Sequence, residues 1–213
     1  MQDYQRELIE FSLQHGVLSF GEFKLKSGRI SPYFFNTGQF NNGECLARLG
    51  RSYAYALRDS EIQYDMLFGP AYKGIPLVTA LSIALSQYFQ LSVPYSFDRK
   101  EEKDHGEGGL TVGAPLAGRG LIVDDVISAG LSVKHSINII SRNRAEPAGI
   151  VIALDRQERG SGQLSAVQEA EQQHKIKVIS VINLDNIVEF LRERDELAER
   201  LDKILAYRKT YGV

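Results

Sequence analysis

Two acids that end an apolar run, a lysine set between glycines, and a short string crowded with cations are the parts of this sequence that can do chemistry. The first is LIVDDVISAGLS, residues 121–132, in which Leu121, Ile122 and Val123 lead into Asp124 and Asp125, and Ser128, Ala129 and Gly130 precede a helical pattern. Residues this small let backbone N–H groups at a helix start close around a phosphate, and the helix dipole favours the anion. No lysine stands in this loop, and the Gly-Lys-Ser/Thr ending of a triphosphate-binding loop occurs nowhere in the chain. The paired acids suit hydroxyl groups, such as those of a ribose. The plainer alternative is that they end a strand and cap the next helix.

Three further strings carry polar groups in a pattern. FGPAYKGIPL, residues 68–77, reads as strand, turn and helix. Gly69 and Gly74 there permit unusual dihedrals and close backbone approach, and Lys73 places a point charge at the turn, which suits a diphosphate. In DRKEEKDHGEGG, residues 98–109, Arg99, Lys100, Lys103 and His105 alternate with acids. So charged a run is expected to be a solvated loop, hinged on Gly106, Gly108 and Gly109. Beside a diphosphate it reads as a lid that closes cations over a leaving group and excludes water. The fourth string is KLKSGRISPYFFNTG, residues 24–38, with Lys26 near a tight turn. Adjacent Phe34 and Phe35 point to opposite faces of a strand, so one is expected in the core and one outside, where a ring or its backbone can line a flat heterocycle.

The elements that must position these strings follow from periodicity. Residues 2–15 have helical spacing, with Tyr4, Leu8 and Phe11 on one face and Gly16 as a stop. Residues 18–36 read as strands broken by Ser27 and Gly28, and 43–58 as a helix. Strands are then predicted at 65–69, 92–97, 120–125, 148–154 and 176–182, with helices at 75–89, 131–142, 163–173 and, with one apolar face, 187–208. Such alternation implies an α/β fold with a mostly parallel central sheet flanked by helices. In such a sheet ligands sit beyond the carboxyl ends of the strands, where the loops at 70, 98 and 125 fall.

Composition closes off other classes. The 213 residues are 43% apolar and carry 25 Lys and Arg against 27 Asp and Glu, so no global field holds nucleic acid or an anionic membrane. Cys45 has no partner for an internal disulfide, and with four scattered histidines it offers no metal-ligand spacing. The opening residues lack the form of a secretory signal, and a reducing cytoplasm is expected. Residues 74–97 carry no charge, long enough to span a bilayer, but Pro76, Pro94, Gln87 and Gln90 make them read as a buried helix and a strand.

Together the four strings, with ALDRQERG at 153–160, resemble the bacterial orotate phosphoribosyltransferases, a branch of the type I phosphoribosyltransferases, over nearly the whole chain. The resemblance implies one domain over 1–213 with a small N-terminal hood, approximately residues 1–40. It implies a reaction in which orotate and phosphoribosyl pyrophosphate (PRPP) give orotidine 5′-monophosphate and diphosphate, with Mg²⁺ held mainly through PRPP and water. It assigns PRPP contacts to Lys26, Tyr72, Lys73, Arg99, Lys100, Lys103, His105, Asp124 and Asp125, and to the loop of Val126, Ile127, Ser128, Ala129, Gly130, Leu131 and Ser132. Orotate contacts fall to Phe34, Phe35, Ser128 and Arg156. Lys103, Lys73, Asp124, Asp125, Arg99 and His105 are the expected catalytic groups, Lys103 foremost.

The resemblance also implies a homodimer whose lid, 98–109, completes the neighbouring site. Arg156 can fork onto the carboxylate or a ring oxygen of orotate; the alternative is a pair with Asp155 or Glu158. Both acids reach the ribose only if the strand has ended at Asp124. The family usually has threonine where this chain has Ser128 and Leu131. Leu131 removes a phosphate-facing hydroxyl that Ser132 is expected to replace in part.

Overall fold

The computed structural model describes residues 1–25, 27–103, 109–127, 130–160 and 162–213, the side chains of residues 102 and 103 excepted. Lys26, His105, Ser128 and Ala129, and the side chain of Lys103, lie outside the described part.

The chain opens with α1 (Asp3–Gln14), which buries Leu8, Ile9 and Phe11 and gives way at Gly16, where φ is +67°. The strands β1 (Leu18–Lys24) and β2 (Ile30–Phe35) form an antiparallel hairpin that turns at Gly28, φ +84°. Positive φ at both positions is the conformation glycine adopts without steric cost. A single 3₁₀ turn, Thr37–Gln39, leads to α2 (Gly43–Arg58), whose start is capped by the Asn42 side chain accepting from the Cys45 N–H at 3.0 Å.

The main sheet then assembles from β3 (Met66–Gly69), β4 (Tyr95–Lys103), β5 (Gly109–Gly113), β6 (Arg119–Asp124), β7 (Glu146–Asp155) and β8 (Lys177–Asn183), in the order β5-β4-β3-β6-β7-β8. All neighbours pair parallel except β4 with β5. Between the strands run α3 (Gly74–Phe89), α4 (Leu131–Arg142) and α5 (Ala166–His174), and α6 (Leu184–Arg192) and α7 (Ala198–Tyr211) end the chain. Strand residues alternate between two apolar clusters, as the two-residue period requires. Leu67, Leu121, Val123, Val151 and Ala153 face α2, α3 and the terminal helices, whereas Met66, Phe68, Ile122, Ile150 and Ile152 face α4. The sheet is therefore covered on both sides, and its strands read as continuous apolar runs.

Two features depart from the sequence reading. The charged string does not begin as a solvated loop: β4 continues through it to Lys103 and pairs with β5, with Asp98 opposite Thr111 and Lys103 opposite Gly109. A two-stranded ribbon extending past a sheet can be wet on both faces, so its charges do not oppose strand formation. Asp98 itself is buried, at 3% exposure. The terminal apolar face belongs to two helices, α6 and α7, joined through a 3₁₀ turn at Asp195–Leu197. The uncharged stretch 74–97 divides into α3 and the start of β4, and no described helix is long and apolar enough to cross a membrane.

Candidate active site

The carboxyl ends of β3, β6 and β7 meet at one edge of the sheet, and the polar strings meet with them. β6 ends at Asp124, so Asp125 has left the pleat and the two acids are not forced to opposite faces. The buried Tyr53 hydroxyl donates to the Asp124 carbonyl at 2.8 Å and fixes the strand end. Burial, followed by the charges of Asp125 and Asp124, pushes that phenol well above its usual range, which keeps it a donor.

Both acids are themselves buried, and protein donors meet them. Asp124 accepts from the Ser132 hydroxyl at 2.7 Å and from the Asp125 N–H at 2.9 Å. Asp125 accepts from the Val126 N–H at 2.8 Å with one oxygen. The other takes the Thr37 hydroxyl at 2.7 Å and the Lys73 ammonium at 2.5 Å. Burial raises the Asp124 carboxyl to about 6; the Ser132 hydrogen bond opposes that rise and the charge of Asp125 adds to it.

The turn from β3 into α3 is tight because two glycines touch. A Cβ on Gly69 would lie 2.3 Å from the Gly74 carbonyl oxygen, and one on Gly74 would lie 2.6 Å from Pro70. Close approach is therefore what these glycines supply; the unusual dihedrals expected of them are absent, since neither has a positive φ. The Ala71–Tyr72 peptide is cis. Tyr72 is exposed, and the Lys100 ammonium of the arm sits 4.6 Å from the centre of its ring. Arg99, one residue earlier on β4, is half-buried.

At the start of α4, Gly130 takes φ +67° as the capping residue and Leu131 is 75% exposed. The side chains of Val126 and Ile127 pack against the two apolar clusters, so this part of the loop offers a phosphate its backbone alone. Ser132, expected to stand in for the missing hydroxyl of Leu131, spends its proton on Asp124.

The hairpin closes the site from the other side. Phe34 is exposed and stacks on Phe23 with centroids 5.5 Å apart, while Phe35 is buried in the core, as adjacent strand positions require. Only the backbone of Phe35 is available to a ligand. Arg156 follows β7, whose Ala153 N–H donates to the Asp125 carbonyl at 2.9 Å, so it stands at the same sheet edge as the acids. Its guanidinium lies over the Tyr33 ring at 4.0 Å, donates to the Ser31 hydroxyl at 2.8 Å, and pairs with Glu158 at 2.7 Å. The pair with Glu158, one of the two alternatives open from the sequence, is present, and it turns Arg156 toward the hairpin that carries Phe34.

The structure thus brings Lys73, Asp124, Asp125 and Ser132 into one hydrogen-bonded set, places Tyr72 and Lys100 together at its border, and sets Arg156 on β2. It also adds residues that the sequence reading left without a role. Thr37 lies inside the FFNTG run and joins the hairpin to Asp125; Tyr53 gave no sequence signal beyond its type.

Comparison with known proteins gives the family. Residues 36–189 match the phosphoribosyl transferase domain family. The chain is similar to the orotate phosphoribosyltransferase of Hahella chejuensis, 57% identical over 213 residues, covering all of this chain and 99% of that protein. It is 55% identical to the orotate phosphoribosyltransferase of Vibrio vulnificus over the full length of both. Among solved structures it is similar to the orotate phosphoribosyltransferase of Francisella tularensis, with a TM-score of 0.88 and 45% identity over 97% of this chain and 100% of that one.

Proposed function

The chain belongs to the orotate phosphoribosyltransferases, within the phosphoribosyl transferase domain family, and we infer from that membership and the geometry of these side chains how its residues divide the reaction. The enzyme transfers the ribose 5-phosphate group from PRPP to orotate, giving orotidine 5′-monophosphate and diphosphate in pyrimidine synthesis. The single observation that carries the division of labour is the convergence of Lys73, Asp125 and Thr37 on one carboxylate oxygen at the sheet edge.

Displacing diphosphate from C1 of ribose passes through an oxocarbenium-like state, as glycosyl transfer does in general. Positive charge gathers on the sugar and negative charge on the leaving group. Asp124 and Asp125 take the ribose hydroxyls and offset the first; Lys73 and the arm cations Arg99, Lys100, Lys103 and His105 meet the second. PRPP competes with Lys73 for Asp125: as the ammonium turns to the diphosphate, the carboxylate oxygen it leaves can accept from a ribose hydroxyl. The backbone at Gly130, Leu131 and Ser132, at the N-terminus of α4, receives the 5′-phosphate. Arg156 answers the orotate carboxylate, and Phe34 with the backbone of Phe35 lines the base. Lys26 and Ser128 keep the PRPP and orotate roles that family resemblance gives them.

Magnesium fits this donor set as a companion of PRPP. Among the described residues no group of three or more His, Cys, Asp or Glu side chains is gathered for a metal. Mg²⁺ typically keeps several waters and binds phosphate oxygens with one or two carboxylates, and Asp124 and Asp125 are the pair that can serve. When bound it would neutralise charge on the diphosphate.

A homodimer in which the arm of one subunit, 98–109, reaches the partner's site is part of this reading; β4 and β5 projecting past the sheet as a ribbon support it. A cytoplasmic setting is part of it too, supported by the lone buried Cys45.

The test is direct. Protein is added to orotate, PRPP and Mg²⁺ and the ultraviolet absorbance of the base is followed, then again with uracil, adenine and hypoxanthine. Turnover of orotate is expected, and preference for another base overturns the substrate assignment.

A further inference from the structure

Asp98 is a buried carboxylate that none of the roles above uses. The parallel register sets Gly69, the last residue of β3, opposite Phe97, so Asp98 overhangs β3 by one residue and lies beside the turn into α3. One of its oxygens accepts from the Ala71 N–H; the other pairs with His135 Nε2 at 2.8 Å. His135 belongs to α4, one turn beyond the N-terminus that faces the phosphate, and its side chain is about half exposed, against 4% for Asp98. One carboxylate thereby joins the diphosphate turn, the base of the arm and the phosphate-binding helix. Burying a carboxylate is costly unless its lone pairs are met, and this one is met by the elements that handle PRPP and by nothing from the orotate side among the described residues.

We propose that Asp98 is a positioning residue for PRPP: it fixes the Ala71 amide, and with it the aim of Tyr72 and Lys73, and through His135 it holds that turn against α4. The proposal rests on the reading of residues 70–73 as the diphosphate site. Lys73 is two residues from the amide that Asp98 holds, so a turn released at Ala71 misplaces the ammonium, and a misplacement of about 1 Å can cost on the order of 10²-fold in rate.

Steady-state kinetics with each substrate varied in turn, and thermal melting as a check of the fold, are measured for Asp98→Ala, Asp98→Asn, His135→Ala and Lys73→Ala. Asp98→Ala is expected to raise the PRPP KM by about tenfold or more while the orotate KM stays within about twofold. Asp98→Asn keeps an acceptor for Ala71 and offers an amide N–H to the imidazole, and it is expected to return the PRPP KM to within about threefold of the parent. His135→Ala, on a half-exposed side chain, is expected to shift the PRPP KM in the same sense by a smaller factor, and it decides the matter should Asp98→Ala fail to fold. An unchanged PRPP KM in His135→Ala or Asp98→Ala, an equal rise for both substrates, or an Asn variant no better than Ala overturns the proposal. Lys73→Ala separates the two levels: if it too leaves PRPP kinetics unmoved, the diphosphate reading of the turn fails, whereas an effect of Lys73 without one of Asp98 sinks only the positioning role.

Discussion

The ammonium of Lys73 and the carboxylate of Asp125 lie 2.5 Å apart across 52 residues of sequence, each in the turn that follows one of two neighbouring central strands. The Lys73 side chain is 56% exposed, so the pair stabilises the fold by less than about 1 kcal/mol. Its consequence is placement. The cation proposed to answer the leaving group and the anion proposed to answer the sugar are held in contact, and the Thr37 hydroxyl brings the hairpin to the same oxygen.

Lys73→Ala should therefore separate activity from stability. Loss of one preorganised charge aimed at a leaving group costs roughly 10²- to 10³-fold in kcat/KM for PRPP. The melting temperature should hardly move, because the ammonium is half exposed and the buried Asp125 keeps its Thr37 and Val126 donors. A fall of less than about fivefold, beside an intact melt, would assign the leaving group to the arm cations alone.

Asp124 gives the site a pH dependence whose sign follows from burial. Its carboxyl is raised to about 6 in the folded chain, above the ordinary 3.8. Between those values the unfolded chain has lost a proton that the folded chain keeps, so stability falls as pH rises through this window and levels off above about 6. On the proposed role catalysis runs the other way, since it is the ionised form that would offset the sugar's charge. Activity should drop below pH 6 on a limb that Asp124→Asn removes, while the variant also loses the decline in stability between pH 4 and 6. Titrating kcat/KM and thermal melting for both proteins checks this. A limb unchanged in the variant assigns the acid loss to PRPP itself.

The acid pair, the glycine-bounded lysine and the helix at 131 were legible because each sits where an apolar two-residue period changes into a turn and then a helix. β5 and the outer half of β4 carry no such signal: a ribbon wet on both faces need not alternate, so its text reads as a loop. Thr37 and Tyr53 were illegible for another reason. Their partners stand 88 and 71 residues away, and only the closed sheet brings them near. The break between α6 and α7 has no glycine or proline to announce it. It coincides with Arg194, whose guanidinium packs 3.6 Å from the Phe190 ring and pairs with Glu10 at 2.6 Å, contacts made by tertiary structure.

Leu131→Thr is expected to lower the PRPP KM. The leucine side chain is largely in solvent at the helix start, and the neighbouring Ser132 hydroxyl is committed to Asp124, so no described side-chain hydroxyl at this helix start is free to donate to a phosphate there. A new hydroxyl donating to a charged acceptor contributes about 1.5–3 kcal/mol, a gain of roughly tenfold or more. An unchanged or higher KM would mean that the backbone amides already saturate the phosphate.

Arg156 and Glu158 should differ in kind. Arg156→Ala removes the cation proposed for the orotate carboxylate and should raise the orotate KM by about 10²-fold with the PRPP KM nearly unchanged. Glu158 accepts from Arg156, from the Tyr207 hydroxyl of α7 at 3.1 Å and from the Tyr33 hydroxyl at 3.4 Å. Glu158→Gln keeps the shape and loses the charge, so the guanidinium stays but loses part of its orientation, and a rise nearer tenfold is expected. Equal effects of both variants on the two substrates would argue that Arg156 serves the fold.

The proposed sharing of the site between subunits is tested through the arm. β4 carries Lys103 past the end of β3, while Lys100 stays beside Tyr72 of its own subunit, so the outermost cations of one site can come from a second subunit. Lys103→Ala subunits carry an intact acid loop, and Asp124→Asn/Asp125→Asn subunits carry an intact arm. Mixed and allowed to exchange, they should form one hybrid site in which both halves are sound. With random pairing half of the dimers are hybrids, each with one sound site of two, so activity should rise toward a quarter of the parent value from two nearly inactive parents. Recovery must depend on exchange time, and cross-linking each parent before mixing should abolish it. No recovery after verified exchange would place the arm over its own subunit's acids.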